Sequence, residues 1–546
     1  MTFIFMKKAA LALCFLCAFF GIPASKPFLT ASSNSDFIRY SSPEFLAFNE
    51  LISLSENPDP ASPLREKLNR LWTTPIISNE AYYRGARPAE KIHPVLGVPY
   101  LRIATWNIEK SFQIPNAISV FTNPVAYQAM IDLKKAPVDT FEHQTALRQR
   151  DALAQADVVF LQEMDIGVKR SEYRDGTREL AEALSMNYAY GAEYLEIDPA
   201  YLGTEAIHLE GGQEDQDAMD YFRADPEKYK GLFGSAVLSR YPIKSVTIFP
   251  LENQGYDWYS GEKNKTTFLE KTRRFGAKAV FLSELHRELK VGNRIFMRVD
   301  LEVPGLPNDT LTVINIHLEI KCLPKAREAQ IEEILTYIKN IQNPVIMAGD
   351  FNSAPSDLSP TSVTREVKRK AKDPTLWFSV AVNQVAPHAL LVNATRTVSN
   401  VTKNFQNPTA KSIPIVAPNR TAGLFNAIED FRFDDSSAFD FRGDSERSVG
   451  GENGLLSNSN QRDRIGYKTT FQVRRPIGDI IGKYRLDWIF VKSFLKDPKD
   501  KNGPYQFAPH FGETLEELNT VLVQHVSDHH PNIVDLPFQE PEIKRE

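Results

Sequence analysis

Cysteine is scarce in this sequence. The 546 residues contain three cysteines, and Cys14 and Cys17 lie in the apolar N-terminal segment. If that segment is removed, only Cys322 remains, so the mature protein has no internal disulfide. This excludes a small extracellular module held together by disulfides. The hydrophobic content of 42% instead predicts a large buried core.

Long apolar runs are missing after the N-terminus. There, Lys7 and Lys8 precede the apolar run 9–21, which is followed by Ile-Pro-Ala-Ser. This pattern is typical of a secretory signal peptide, so residues 1–25 are predicted to be removed on export. A retained membrane anchor is the alternative, although a spanning helix needs roughly 20 apolar residues. We therefore predict a periplasmic or secreted protein with no transmembrane span in the mature chain.

Neither sign of charge is in large excess. The chain has 64 Lys and Arg against 69 Asp and Glu, a formal net charge of −5. This excludes a general nucleic-acid coat and a polybasic membrane surface, but it leaves room for a local basic groove. The basic stretches 263–298 and 365–372 either follow a nucleic-acid backbone or form solvated faces. Residues 431–444 interleave Phe and Arg with acids, and either stack on bases or pack as a loop.

Several common catalytic motifs are also absent. The sequence has no Cys/His zinc spacing, Walker loop, GxSxG elbow or dinucleotide fingerprint. What it has instead is polar residues at the ends of apolar runs. Residues 345–352 read Val-Ile-Met-Ala-Gly-Asp-Phe-Asn, which predicts a buried strand. Because side chains alternate along a strand, Asp350 and Asn352 are expected on one side, with an ordinary Asx turn as the alternative.

Further apolar runs follow the same plan. Strands are predicted over 101–109, 157–163, 234–240, 310–317 and 484–491, and an apolar run at 521–523 precedes the last polar pair. The polar residues that end or interrupt these runs are Asn107, Glu109, Glu163, His317, Asp487, Asp528 and His529. If the strand ends converge, the acids and amides supply oxygen ligands for a hard cation such as Mg²⁺. The histidines then supply proton transfer.

Strands dominate and helices intervene, which predicts an α/β protein of two packed sheets with helices outside. A helix is predicted over 324–340, where Arg327 and Gln330 either brace the site or lie on a solvated face. Residues 26–99 are predicted to form an extension packed on a main domain of 100–538, with a tail at 539–546. Two inserts, 171–232 and 353–483, are interpreted as substrate-covering loops with short elements.

The polar motifs, taken in order, resemble those of the endonuclease/exonuclease/phosphatase family, which has the DNase I-like fold. They are Trp106-Asn107-Ile108-Glu109, Gln162-Glu163, Gly349-Asp350-Phe351-Asn352, Leu486-Asp487-Trp488-Ile489-Phe490 and Ser527-Asp528-His529. His317 falls where the nuclease and sphingomyelinase branches carry a catalytic histidine. The resemblance covers about 101–536 and implies a four-layer α/β sandwich of two mixed β-sheets flanked by helices.

The resemblance also implies a metal site. Glu163 would be the principal Mg²⁺ ligand, and Asn107 would help to orient the metal-bound phosphate. Asp528 would lie beside the metal, and Glu109 would serve a second metal position. Mn²⁺ or Ca²⁺ are the alternatives to Mg²⁺.

The catalytic roles implied by the resemblance fall on five residues. Asp350 would orient or deprotonate the attacking water, and Asn352 would donate to a phosphoryl oxygen. His529, braced by Asp487, would contact the phosphate as a cation or donate a proton. His317 would protonate the leaving oxygen. The family's nucleases orient this histidine with an acid from the strand that here reads Gly-Ser-Ala at 234–236, so His317 has another partner or a weaker role.

These expectations define three candidate functions. The first is a secreted or periplasmic Mg²⁺-dependent nuclease that hydrolyses phosphodiester bonds by in-line attack of water. The second is a phosphatase or a phospholipase C- or sphingomyelinase-like enzyme. The third is a non-catalytic binding protein on the same scaffold, which the intact polar set argues against. The expected partner is a phosphate-ester substrate, with nucleic acid favoured over lipid and no obligate protein partner.

Overall fold

The computed structural model describes most of the chain after residue 36. The described residues are 37–94, 96–206, 216–263, 287–353, 420–440, 460, 462–463, 466–477, 481–495, 497, 499–500, 505–508 and 510–540. The predicted signal peptide, the basic stretch 365–372 and most of the second predicted insert lie outside them. Among the described residues, no helix has the length and apolar character needed to cross a membrane.

Nine strands form a large mixed sheet. They are β1 (Tyr40–Ser41), β2 (Ile76–Ser78), β3 (Tyr100–Asn107), β4 (Val158–Ile166), β5 (Asn187–Glu196), β6 (Leu232–Ser239), β8 (Lys290–Gly292), β19 (Phe511–Thr514) and β20 (Asn532–Pro537). Their order is β1-β2-β5-β6-β4-β3-β20-β19, and β8 pairs with the end of β5. β3 and β4 are parallel, and the other pairs are antiparallel.

Five strands form a small mixed sheet. They are β7 (Ile243–Pro250), β9 (Ile295–Glu302), β10 (Thr310–His317), β11 (Val345–Asp350) and β16 (Asp487–Val491), in the order β16-β11-β10-β9-β7. Only β10 and β11 are parallel among these pairs. Three further two-stranded ribbons pair β12 (Arg462–Asp463) with β13 (Gly466–Tyr467), β14 (Phe471–Ile477) with β15 (Ile481–Tyr484), and β17 (Phe494–Leu495) with β18 (Tyr505–Gln506).

Helices occupy the connections between strands. They are α1 (Phe48–Glu56), α2 (Leu64–Thr73), α3 (Glu80–Tyr83), α4 (Ile114–Thr122), α5 (Pro124–Met130), α6 (Phe141–Ala154), α7 (Gly176–Leu184), α8 (Pro199–Leu202), α9 (Gln216–Phe222), α10 (Trp258–Lys263), α11 (Pro324–Ile338), α12 (Ala422–Asp430) and α13 (Glu516–Thr520). Polar caps begin some of them. The Thr140 side chain accepts a hydrogen bond from the His143 amide at α6, and Asp175 does the same for Arg178 at α7.

Three apolar clusters define the layers. The middle cluster lies between the sheets, where large-sheet residues such as Ile103 and Phe160 meet small-sheet residues such as Val313 and Ile346. A second cluster packs α4, α6 and α7 on the outer face of the large sheet. A third packs α11 and α12 on the outer face of the small sheet. The order helices, sheet, sheet, helices confirms the predicted four-layer α/β sandwich.

The structure differs from the sequence expectations at several element ends. β4 continues to Ile166 and carries Glu163 inside it, at a bulge between Leu161 and Met164, instead of ending at Glu163. The predicted strand 484–491 is interrupted, because β15 ends at Tyr484 and β16 begins at Asp487. The first predicted insert, 171–232, contains α7 and β5. Since β5 is buried along its whole length in the large sheet, this part of the chain belongs to the core.

Candidate active site

The carboxylate of Asp350 lies where the two sheets meet. β10 and β11 run parallel, and their register places His317 beside Asp350. On the large sheet, Asn107 ends β3, and its Nδ2 donates to Asp350 Oδ2 at 3.0 Å and to Glu163 Oε1 at 3.3 Å. One amide therefore joins the metal-ligand candidate on one sheet to the water-activating candidate on the other.

Backbone irregularities aim the two acids. Glu163 has a φ of 60° in the β4 bulge, a conformation that turns its side chain out of the regular alternation. Gly349, just before Asp350, has a φ of 143°, and a Cβ there would lie 1.9 Å from the carbonyl oxygen of Ile316. Only glycine permits this close approach of β10 and β11.

The His529 loop is fixed to the same two sheets. His529 Nδ1 lies 2.8 Å from Asp487 Oδ2, as the resemblance implied, and its Nε2 lies 3.8 Å from Asp350 Oδ2. Ser527 Oγ donates to the carbonyl oxygen of Asn107 at 2.7 Å and accepts from the His529 amide at 3.0 Å. Trp106 Nε1 donates to the carbonyl oxygen of His529 at 3.1 Å. The imidazole is therefore held at Nδ1 by Asp487, and the backbone of His529 is held by Ser527 and Trp106.

His317 has a partner that sequence reasoning missed. Its Nε2 lies 3.8 Å from Asp350 Oδ2 and 3.9 Å from Glu163 Oε1. Its Nδ1 faces Arg294 Nη1 at 2.8 Å and Glu193 Oε2 at 3.6 Å. An acid on β5, which lies in the predicted insert, thus stands near His317 in place of the acid absent from β6, with Arg294 in contact with both. The available signal was Glu193 itself, an acid inside the otherwise apolar and aromatic run 188–195.

The predicted alternatives for Asp350 and Asn352 are both present. The Asn352 amide donates to Asp350 Oδ1 at 2.8 Å, which is an Asx turn, while Asp350 Oδ2 faces the site. Asn352 has a φ of 46°, and its Nδ2 donates to the carbonyl oxygen of Leu318 at 2.9 Å. Because an amide nitrogen carries two hydrogens, the other hydrogen remains for a phosphoryl oxygen.

The remaining two metal-ligand candidates, Glu109 and Asp528, lie at the His529 loop. The Asp528 amide donates to Glu109 Oε2 at 3.1 Å, so Glu109 braces the loop that carries Asp528. Asp528 Oδ1 lies 4.0 Å from His529 Nε2, and 35% of its side chain is exposed. The structure therefore brings all nine sequence-predicted site residues into one constellation.

Burial and crowding shift the acids of the site in opposite directions. Burial raises the pKa of Asp350, and the charge of Asp487 adds to the rise. Burial together with Glu163 and Asp350 raises the pKa of Asp528 to about 6. Burial also acts to raise the pKa of Glu163, but the basic side chains around it, Lys110 and His529 among them, outweigh burial and lower that pKa.

The two imidazole environments also differ. Burial acts to lower the pKa of His529, but the hydrogen bond and charge of Asp487, with Asp350 and Asp528, raise it well above its ordinary value. The neighbouring His530 is buried, and burial lowers its pKa to about 3, in keeping with the expected structural role. His529 is therefore the cationic member of the pair.

The donor set suits a hard cation. Asp350, Asp487 and His529 offer ligand atoms within 4.8 Å of one another. Asp487 Oδ1 is buried and has no hydrogen-bond partner within the described part of the chain. Asp487 Oδ2 is already hydrogen-bonded to His529 Nδ1, however, which favours a role in acid–base catalysis over metal binding for this pair. Glu163 and Asp528 offer carboxylate oxygens on the other side, the ligand type that Mg²⁺ takes.

A match to a protein family agrees with this geometry. A sequence profile described as the Endonuclease/Exonuclease/phosphatase family matches residues 104–529. The chain belongs to the endonuclease/exonuclease/phosphatase family. Family members are hydrolases that act on phosphate esters and generally use a divalent metal, and the site described above lies within the matched residues.

Solved structures of this family resemble the chain at low identity. An endonuclease/exonuclease/phosphatase from Beutenbergia cavernae is 15% identical with a TM-score of 0.35, covering 80% of this chain and 72% of its own. An AP endonuclease from Archaeoglobus fulgidus is 11% identical with a TM-score of 0.33, covering 80% and 98%. A 3'-5' exonuclease from Neisseria meningitidis is 12% identical with a TM-score of 0.34, covering 80% and 100%. Comparison with curated proteins finds no match.

Other predicted features have structural explanations. Arg327 and Gln330 are buried, so they do not form a solvated face. Arg327 Nε donates to Ser353 Oγ at 3.0 Å in the loop after β11, and Gln330 Oε1 accepts from the Glu319 amide at 3.1 Å in the segment after β10. In the basic stretch 263–298, the described Arg287 and Arg294 form ion pairs with buried acids. The aromatic rings of Phe431, Phe433 and Phe439 pack on one another, as expected for a loop that supports the core.

Proposed function

We propose that this protein is an exported, Mg²⁺-dependent phosphodiesterase that hydrolyses nucleic acid. The observation that carries the proposal is the surroundings of Asp350 Oδ2. That oxygen lies 3.0 Å from Asn107 Nδ2 and 3.8 Å from Nε2 of both His317 and His529. A base, a hydrogen-bond donor and two imidazoles thus face one small volume, as hydrolysis of a phosphate ester requires.

The residues fit a divalent cation. Glu163 would be the principal ligand, with Asp528 beside it, Asn107 orienting the bound phosphate and Glu109 supporting the loop. The crowding that raises the pKa of Asp528 to about 6 is relieved by a positive ion, which is the chemical argument for the fit. When bound, Mg²⁺ neutralises charge on the phosphate oxygens; Mn²⁺ or Ca²⁺ are the alternatives.

The protein's own groups supply the remaining chemistry. Burial gives Asp350 a raised pKa, which makes it a stronger base than an exposed aspartate for orienting or deprotonating water. The His529 cation, held by Asp487, neutralises charge that develops on the phosphate or donates a proton. Asn352 donates an amide hydrogen to a phosphoryl oxygen. Preorganised donors of this kind typically give the largest share of rate enhancement.

Lipid phosphodiester is the second candidate, because apolar side chains are exposed near the His529 loop. Val125 and Phe141 are each 76% exposed and Val523 is 72% exposed. Ile131 and Leu522 form a backbone bridge that joins the segment after Val125 to the segment of Val523, and α6, which begins at Phe141, packs against α5. The segment around Val523 continues into the loop with Asp528. Such a surface can rest on a lipid bilayer.

A substrate panel distinguishes the two candidates. Purified mature protein is assayed on plasmid DNA, RNA, sphingomyelin vesicles and phosphoinositide vesicles, with Mg²⁺ and with chelator. We expect nucleic-acid cleavage that chelator abolishes, and loss of turnover in folded His529→Ala and Glu163→Ala variants. Cleavage of lipid alone would replace the first candidate with the second. A wild-type rate in either variant would contradict the assigned roles.

Export rests on the N-terminal pattern alone. The two lysines, the apolar run and the small residues around Ala24 predict cleavage after Ala24 or Ser25. N-terminal sequencing of protein recovered outside the cytoplasm tests this. Recovery of an uncut chain in the membrane fraction would instead support the retained anchor.

A further inference from the structure

Arg294 touches His317 on the side that faces away from the site. Arg294 immediately precedes β9 and is 2% exposed. Its Nη1 lies 2.8 Å from His317 Nδ1 and donates to Glu193 Oε2 at 2.6 Å. Its Nε donates to Glu319 Oε2 at 3.1 Å. None of the catalytic roles described so far depends on this contact.

The contact determines where the imidazole carries its proton. A guanidinium nitrogen only donates hydrogen bonds and stays protonated, so a nitrogen 2.8 Å from it must accept. His317 Nδ1 is then unprotonated. Glu193 Oε2 is 3.6 Å from Nδ1, which is too long for a hydrogen bond. The number of hydrogens agrees with this assignment. Arg294 Nη1 carries two hydrogens and donates one to Glu193 and the other to His317.

Arg294 cannot turn away from this position. Glu319 Oε2 also accepts hydrogen bonds from Trp258 Nε1 at 3.0 Å and from Tyr194 Oη at 3.2 Å. Glu193 and Glu319 are both fully buried and hold the guanidinium from two directions. Moving it would leave two buried carboxylates without their cation, which is strongly unfavourable.

We propose that Arg294 fixes His317 as a neutral imidazole with its single proton on Nε2. His317 then donates a hydrogen bond to a phosphate oxygen and transfers no proton, in contrast to the expected protonation of the leaving oxygen. Loss of the Nε2 proton would leave an imidazolate, so hydrogen bonding is the favoured role for a neutral ring. Arg294 is a positioning residue in this scheme. The inference rests on the proposed function for the identity of the acceptor, but the protonation pattern does not.

Nitrogen NMR of the metal-free protein tests the pattern without any assay of activity. The protein has ten histidines, and the His317 signals in ¹⁵N-histidine-labelled protein are those missing from His317→Gln. At neutral pH we expect Nε2 protonated and Nδ1 unprotonated. A proton on Nδ1, alone or together with one on Nε2, would overturn the inference even if the protein proves to be a nuclease. Failure of the substrate panel would leave this spectrum unaffected.

Leaving-group dependence tests the role. A general acid matters most when the leaving oxygen is a poor one, whereas a donor to a phosphate oxygen matters for all substrates. We expect His317→Ala to lose about 10²–10³-fold in kcat, a typical cost for one such donor, on both a dinucleotide and a nitrophenyl phosphodiester. His317→Gln should keep more activity than His317→Ala, because an amide can donate but cannot act as an acid. A loss confined to the dinucleotide would restore the general-acid role.

Two arginine variants test whether Arg294 determines the position of the proton on His317. In Arg294→Leu, Glu193 is left facing His317, so we expect a proton to appear on Nδ1. Arg102→Leu is the matched control, since Arg102 is also buried and pairs through two nitrogens with Asp535, at 2.6 and 2.7 Å, away from the site. The control should leave the His317 spectrum unchanged. An unchanged spectrum in folded Arg294→Leu would refute the role of Arg294, and if that variant does not fold, the wild-type spectrum still decides the inference.

Discussion

A single carboxylate oxygen, Asp350 Oδ2, receives polar groups from three separate parts of the chain. Asn107 reaches it from the large sheet, His317 from the neighbouring strand and His529 from a loop near the C-terminus. Buried charges at such short range lower stability unless each finds a partner. The site therefore holds unfavourable electrostatic energy that a bound cation and phosphate can relieve.

Asp487 should control the charge of His529. Asp487→Asn removes the charge that keeps the His529 pKa well above its ordinary value, so that pKa should fall. In wild type, protonated His529 contributes stability that is fully present below the pKa of histidine in the unfolded chain. That stability is lost only as the pH rises through the raised pKa of His529 in the folded protein. In the variant, activity should decline as pH rises through the neutral range, and kcat should drop by about 10²–10⁴-fold. A pH–rate profile measures this; superimposable normalised profiles would contradict it.

Glu163 should control cation affinity with little effect on folding. Glu163→Gln removes the ionised ligand, and Mg²⁺ affinity measured by calorimetry should fall by about 10²-fold or more, since even outer partners of ligands cost about 10–100-fold. Metal-free stability should change little, because losing the ionised form that the fold favours, as the lowered pKa of Glu163 indicates, is offset by relief of its repulsion with Asp528. Glu172→Gln, at a side chain 77% exposed, is the control and should change neither property. Equal Mg²⁺ affinity in the two variants would show that the metal does not bind at Glu163.

At the level of strands, alternation predicted some elements and missed others. β10 occupies the predicted residues 310–317, and β11 begins at the predicted Val345, because β-branched and apolar runs of that length specify buried strands. β5 was missed because Asn187–Glu196 contains Tyr, Ala, Gly and Glu and no β-branched residue. The pairing that makes it a core strand comes from β2 and β6, which local sequence does not reveal.

The grouping of the candidate site residues was predicted from the sequence, and their roles stay predictions. Chemistry at strand ends depends on residue type, which the sequence displays directly, and all nine predicted residues lie together. What could not be predicted was how Glu163 is aimed, because a bulge depends on the register of β4 against β6. Glu193 was visible as an acid within an apolar run, but its place beside His317, and that of Arg294, depend on contacts between parts of the chain that local sequence does not pair.

Gly349 should be indispensable to the pairing of β10 and β11. In Gly349→Ala, the new Cβ would lie 1.9 Å from a backbone oxygen that cannot move without breaking the parallel ladder. Gly85→Ala is the control, because Gly85 also has a positive φ of 91° but no atom within 4 Å of the added Cβ. The control should lose about 1–2 kcal/mol from backbone strain alone. Gly349→Ala should lose clearly more, measured by chemical unfolding, and equal losses would contradict the clash.

At the scale of the whole molecule, polar contacts in the apolar middle layer fix the two sheets relative to each other. Gln162 Nε2, on the large sheet, donates to Asn315 Oδ1, on the small sheet, at 2.8 Å. Asn315 Nδ2 donates back to the carbonyl oxygen of Ala236 at 2.8 Å. Gln162 and Asn315 are both fully buried. Gln162 immediately precedes Glu163, and Asn315 lies two residues before His317. The separation of the catalytic groups is thereby set by hydrogen bonds that cross the core.

Residues 37–99 should be essential to the fold, although they contribute no side chain to the site. β2 pairs with β5, and Leu51, Leu54 and Leu71 are buried in the outer core of the large sheet. Asn79 is fully buried, and its side chain donates to and accepts from the Ile243 backbone at 3.0 and 2.8 Å. Removing this segment would expose apolar surface and the unpaired edge of β5, which is a site for aggregation.

Two truncations test this. A chain beginning at Phe37 should be soluble and should unfold at the temperature of the mature protein, because every described contact is retained. A chain beginning at Tyr100 should aggregate or unfold at a much lower temperature, measured by soluble yield and calorimetry. The matched residues 104–529 are complete in both chains, so the comparison separates the extension from the family domain. Equal unfolding temperatures would show that the large sheet is stable without β1 and β2, and the extension would then be an appendage.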